Sequence, residues 1–208
     1  MQRTLNFEAW NRREHYQFFK KFEEPFFGVT VSLDCTLAYQ RAKEKGTSFF
    51  LFYLHRSLVA ANEIEPFRYR IHENEAIVYD TVHASPTINR PDGSFGFGYM
   101  DFYKEEERFY EEAKKEIERV QISKGLIPAV SGENVIHYSA LPWLNFTAIS
   151  HARAFSHNDS IPKITFGKMT EDSSMRTMPL SVHVHHALMD GYHVGQFVGL
   201  FQELMNDQ

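Results

Sequence analysis

The chain has 208 residues, 43% apolar and 24% charged, with 22 basic against 27 acidic side chains and a formal net charge of -5. Those proportions exclude a disordered chain or a low-complexity fibre, and the length suits one good-sized domain spanning residues 1–208. The acidic balance and the lack of any dense Lys/Arg run speak against nucleic acid as a partner, and the longest apolar run, residues 49–54, is far below the ~20 residues of a membrane-spanning helix.

The first eight residues lack the basic segment, apolar core and small-residue cleavage site of a secretory signal. The single cysteine, Cys35, cannot close an internal disulfide, so a reducing cytoplasm is the expected location. With no cationic neighbour in sequence, Cys35 reads as a structural thiol.

Residues 10–22 carry Trp10, Glu14, Phe18 and Phe22 at helical spacing, and Val29, Val31 and Leu33 then alternate with Thr30, Ser32 and Asp34 as in a half-buried strand. Residues 48–64 are long, apolar on most sides and free of Gly and Pro, which predicts a buried central helix. Short strands are expected over 67–101, with a Pro91-Asp92-Gly93 turn suited to a hairpin. The charged stretch 104–121 keeps one apolar stripe, Phe109, Ala113, Ile117 and Val120, and predicts a surface helix. After a loop through Ser131-Gly132 come strand-like segments at 135–140, 162–169 and 175–186. A final helix carries Val194, Phe197, Val198, Phe201, Leu204 and Met205, with Asp190-Gly191 at its start. This order is mixed α/β, and it predicts helices packed on one face of a mainly antiparallel sheet.

Titratable groups are densest over residues 181–193, where four of the eleven histidines lie: His183, His185, His186 and His193. On a strand His183 and His185 share a face while His186 points the other way. An imidazole where a strand meets a loop can reach a cleft and act as a general base at neutral pH. The spacing of His183, His185 and His193 fits no standard zinc motif, so they read as structural and no metal is assigned.

The pattern His-His-x-x-x-Asp-Gly, here His185-His186-Ala187-Leu188-Met189-Asp190-Gly191, resembles that of the chloramphenicol acetyltransferase family. Dihydrolipoamide acyltransferases and peptide-synthetase condensation domains look similar at this point. Two further words in the family's order extend the resemblance over nearly the whole chain: Trp10-Asn11-Arg12-Arg13-Glu14-His15 and Ser139-Ala140-Leu141-Pro142-Trp143. The resemblance implies a homotrimer of two-layer α/β sandwiches with active sites at subunit interfaces. Its activity would be acetyl transfer from acetyl-CoA, a cosubstrate rather than a permanently bound cofactor, to a small-molecule hydroxyl. It makes His186 the base, Ser139 the donor to the oxyanion, and Arg12 the partner of Asp190, the two together holding the base in place.

Alternatives stand beside these assignments. Asp190 could be read as a triad member, but as a helix N-cap it has a sufficient structural reason to be there. By resemblance Trp143 contacts coenzyme A and Thr165 holds a water near the oxyanion; a core Trp and an ordinary strand Thr are the plain alternatives. Phe18 and Phe19 map on the acceptor pocket, where Phe19 replaces a tyrosine. An ungapped alignment around residues 156–159 sets His151, Arg153 and Lys163 where drug-acetylating members have apolar side chains. The expected pocket is therefore polar and cationic, its cations unpaired, and better suited to a polar or anionic acceptor than to chloramphenicol. A non-catalytic trimer of the same fold is the rival from another class.

Overall fold

The computed structural model describes residues 1–126, 132–153 and 159–207. Ser131 of the expected loop and residues 156–158 of the ungapped alignment lie outside the described residues. A seven-stranded mixed sheet organises the chain, in the order β2 (Phe26–Asp34), β10 (Met175–His185), β8 (Lys163–Phe166), β7 (Val135–Ala140), β5 (His83–Asn89) and β6 (Phe95–Phe97), with β9 (Thr170–Asp172) beside β10. Pairing is antiparallel except for β5 with β7 and β7 with β8. A separate antiparallel sheet, β1 (Gln2–Thr4), β4 (Glu75–Tyr79) and β3 (Tyr69–His72), accompanies it.

The two faces of the main sheet differ in chemistry. Leu33, Leu180, Val182, Ile164, Phe166, Ile136 and Tyr138 join one core with α3 (Phe49–Glu63), α4 (Glu106–Ile122) and α5 (Gly191–Asn206). That face carries α3, α4 and α5, in keeping with the expectation of helices packed on one face. On α3 ten consecutive or near-consecutive positions are buried, which is why its sequence shows no polar side. On α4 the buried residues include Phe109, Ala113 and Val120 of the predicted stripe.

On the opposite face the register aligns two polar rows. Thr30, Ser181, Thr165 and Ser139 form one, and Gly28, His183, Lys163 and His137 the other, because directly paired residues project to the same side of a sheet. Gly28 is required in its row: a β-carbon there would lie 2.2 Å from His183 Nε2. The rows are not a solvated surface, since Ser181 and Thr165 are fully buried and Lys163 is 7% exposed.

Local departures from expectation have local causes. The predicted helix at 10–22 narrows to α1 (Arg13–Phe19). A helix that the periodicity does not reveal, α2 (Thr36–Glu44), follows β2; its buried residues are only Ala38 and Ala42, too small an apolar signal to read. The Pro91–Gly93 turn joins β5 to β6, with Gly93 at φ +84 in the left-handed region. Glu73 and Asn74, both at positive φ, close the tighter β3–β4 hairpin.

Candidate active site

His186 follows the last residue of β10, and its backbone N–H donates to Pro25 O at 2.8 Å. Its ring stacks on Phe19, with centroids 4.0 Å apart and planes 13° from parallel, and leans on Phe27 at 4.7 Å. The guanidinium of Arg12, 6% exposed, donates to the Asp190 carboxylate and, at 3.1 Å, to His186 O. One buried cation therefore ties the strand end to the start of α5.

Asp190 is the N-cap of that helix: its carboxylate accepts from Tyr192 N–H at 3.0 Å, and its own N–H donates to His193 Nδ1 at 3.2 Å. Burial keeps His193 below the usual histidine range, in the neutral form this capping box needs. Asp190 makes no hydrogen bond to His186, whose Nδ1 is buried without a partner, so the triad reading is set aside. His185 is also structural: its Nδ1 accepts from Ala187 N–H, and burial with the nearby Arg153 charge lowers its pKa to about 4.

Burial opposes the charge on Asp190, but the Arg12 hydrogen bond and charge, with His193 and the Tyr192 N–H, outweigh it and hold the carboxyl below its ordinary range. The stability this supplies is complete above the ~3.9 of an unfolded aspartate and is lost as pH falls through the lower folded value. Asp190→Asn is expected to cost about 3 kcal/mol, the low end for orphaning a buried cation because the carboxylate is itself partly exposed. The expected readout is a lower melting temperature together with reduced turnover; unchanged melting with collapsed turnover would restore the triad.

Ser139 lies in a second location. It opens on a cavity of about 540 Å³ that His137, His151, Arg153, Asp159 and Lys163 also line, so the three cationic or imidazole side chains marked by the sequence do face one cavity. Phe18 and Phe19 lie not at this cavity but beside His186: Phe19 covers its ring, and Phe18, 61% exposed, packs edge-on against Phe19. Thr165 faces Ser139 across the β7–β8 pair with its hydroxyl buried and unpartnered. Trp143 is 63% exposed, which removes the core-tryptophan alternative.

The expectation of unpaired cations is also corrected. Lys163 pairs with Asp159 and donates to Ile161 O at 3.2 Å; Arg153 pairs with Glu24 and lies 3.9 Å over the Phe26 ring. Burial, then the Lys163 charge, lowers the pKa of His137 to about 4; burial, then the His183 and Lys163 charges, does the same to His151. Both are neutral at pH 7. Sequence reasoning passed over His137, although its place two residues before Ser139 on one strand puts both on one face. Asp159 and Glu24 gave no such signal, because their partners are set by tertiary packing. Away from both locations, burial and Asp34 raise the Cys35 thiol to about 12, in keeping with a structural thiol.

One chain does not bring Ser139 and His186 together. Ser139 aligns with Ser181 through Thr165, so His186 lies five residues along and two strands across, roughly 20 Å away. Each chain thus holds two separate clusters, one around His186 and one around Ser139 and its cavity.

The sequence model of a family described as Chloramphenicol acetyltransferase matches residues 2–202. Among curated proteins, chloramphenicol acetyltransferase 3 of Escherichia coli is 29% identical over 201 residues, covering 96% of this chain and 94% of the relative. A chloramphenicol acetyltransferase of Proteus mirabilis is 27% identical over 205 residues, covering 98% and 94%. Among solved structures, a chloramphenicol acetyltransferase superposes with a TM-score of 0.89 at 31% identity, over 99% of this chain and all of that one. A probable dihydrolipoamide acetyltransferase from Listeria monocytogenes reaches 0.67 at 14% identity, covering 95% and 92%, a likeness of fold alone.

Proposed function

The chain belongs to the chloramphenicol acetyltransferase family, whose members are acyltransferases, and from that premise we propose that residues 1–208 form one acetyl-CoA-dependent O-acetyltransferase domain acting on a hydroxyl of chloramphenicol or a related small acceptor. The observation that carries this is the Arg12 bridge. It holds the His186 backbone and the Asp190 cap together while leaving the imidazole nitrogens free of protein hydrogen bonds among the described residues.

An alcohol with a pKa of roughly 15 is a poor nucleophile at pH 7, so a positioned base must take its proton as the new bond forms. His186 takes that proton as the acceptor oxygen attacks the thioester carbonyl. The Ser139 hydroxyl donates to the tetrahedral oxyanion, a contact that stabilises the transition state more than the planar ground state. Collapse expels the coenzyme A thiolate, to which the His186 imidazolium returns the proton. Trp143 contacts coenzyme A with its exposed ring, and Thr165 holds a water near the oxyanion with the hydroxyl that has no protein partner.

The roughly 20 Å between Ser139 and His186 supports a homotrimer in which the base of one subunit faces the cavity of the next. No helix among the described residues is long and apolar enough to cross a membrane, and the proposed location is the cytoplasm. Mixing the purified protein with acetyl-CoA and a panel of alcohols, and following free thiol, tests the reading. Acceptor-dependent release is expected; none with any hydroxyl acceptor would overturn it.

A further inference from the structure

We propose that the cavity beside Ser139 selects a neutral, hydroxyl-rich acceptor through the Lys163–Asp159 pair and the His137 and His151 rings, and discriminates against a flat apolar one such as a nitrophenyl ring. The inference rests on the acetyl-transfer reading, whose acceptor must sit in this cavity to reach Ser139.

Position makes these groups relevant. His137 and Lys163 form the register pair two residues before Ser139 and Thr165, so they stand ~7 Å from the oxyanion donor, about the length of a small acceptor. An acceptor that fills the cavity must touch them. Its volume of about 540 Å³ is within the range of small-molecule sites.

Chemistry then narrows the class. A neutral imidazole carries one donor and one acceptor, and among the described residues neither the His137 nor the His151 ring makes a hydrogen bond to a protein group. Of three ammonium donors on Lys163, two go to Asp159 and Ile161 O. A hydroxyl can complete any of these groups by donating or accepting, whereas an aryl ring does neither and strips solvent from an ion pair. The charges close locally, Lys163 with Asp159 and Arg153 with Glu24, so an anionic acceptor would have to compete with a carboxylate already in place. Phe97 and Leu126 line the same cavity and supply an apolar wall for the C–H face of a cyclic polyol. The expectation of a polar or anionic acceptor is thereby narrowed to a neutral one.

The test compares the wild-type protein with His151→Leu and with Lys163→Met/Asp159→Asn, which removes both charges of the pair at once. Chloramphenicol binding is read by calorimetry on each protein, and kcat/KM by thiol release, with methyl glucoside and benzyl alcohol as further acceptors. Expected is a gain of at least ~10-fold for chloramphenicol in either variant, through KM and binding, with the KM for acetyl-CoA unmoved. In the wild type, methyl glucoside is expected to outpace benzyl alcohol. Unchanged or weaker chloramphenicol binding in both folded variants would overturn the proposal, and so would a wild-type kcat/KM for chloramphenicol of ~10⁶ M⁻¹s⁻¹ or more. Should the double variant not fold, His151→Leu decides alone. Absence of thiol release with every acceptor counts against acetyl transfer itself, while calorimetry still reports the cavity's preference.

Discussion

His186→Ala is expected to lower turnover by at least ~10²-fold while leaving the fold and its melting temperature nearly intact. The ring is held by stacking on Phe19 and Phe27 rather than by side-chain hydrogen bonds. The two polar contacts of residue 186, its N–H to Pro25 O and its carbonyl from Arg12, belong to the backbone and survive the substitution. What disappears is the group proposed to remove the acceptor proton, so the expected loss falls on kcat with both substrates still bound. Thiol release at saturating acetyl-CoA and acceptor reads the effect, with thermal unfolding as the control. Near-normal turnover in a folded protein would remove His186 from the mechanism.

The proposed base half-site was legible in the sequence to an unusual degree, and the reason is local. His185, His186, Asp190 and Gly191 lie within seven residues, so a strand end, a cap and a helix start are all written in one word. Arg12 is different. It contacts Asp190 across 178 positions, a pairing that no spacing rule gives and that the family resemblance alone suggested. The stacking of Phe19 flat against the His186 imidazole likewise spans distant positions, and no spacing rule gives it.

The cavity half was legible by type but not by state. Alternation along β7 and β8 puts His137, Ser139, Lys163 and Thr165 on one face, and the sequence marked three of these four. The pairing of Lys163 and of the neighbouring Arg153 depends on Asp159 and Glu24, whose approach is set by tertiary packing. Unpaired cations were therefore expected where paired ones are found. In the fold, elements with strong periodicity such as α4 and α5 were readable. The missed α2 buries only two alanines, and β1 is exposed at every residue, so neither leaves a hydropathic trace.

Ser139→Ala is expected to cost on the order of 10² to 10³ in turnover, with little change in coenzyme A affinity or stability. Stability is spared because the Ser139 hydroxyl makes no hydrogen bond to a protein group among the described residues, and its removal leaves no buried partner unsatisfied. Turnover is not spared, because negative charge builds on the thioester oxygen only as the tetrahedral centre forms. A donor aimed at that oxygen therefore acts on the barrier and scarcely on binding. Thr165 cannot substitute directly: its hydroxyl is fully buried, and it reaches the oxyanion only through the water proposed to bridge them. Thr165→Val should accordingly cost less than Ser139→Ala. The two losses should also be less than additive in the double variant, since both act on one oxygen. Steady-state kinetics over both substrates separate the possibilities. A rise in KM for acetyl-CoA with kcat unchanged would make Ser139 a ligand-binding group and leave the oxyanion without a side-chain donor.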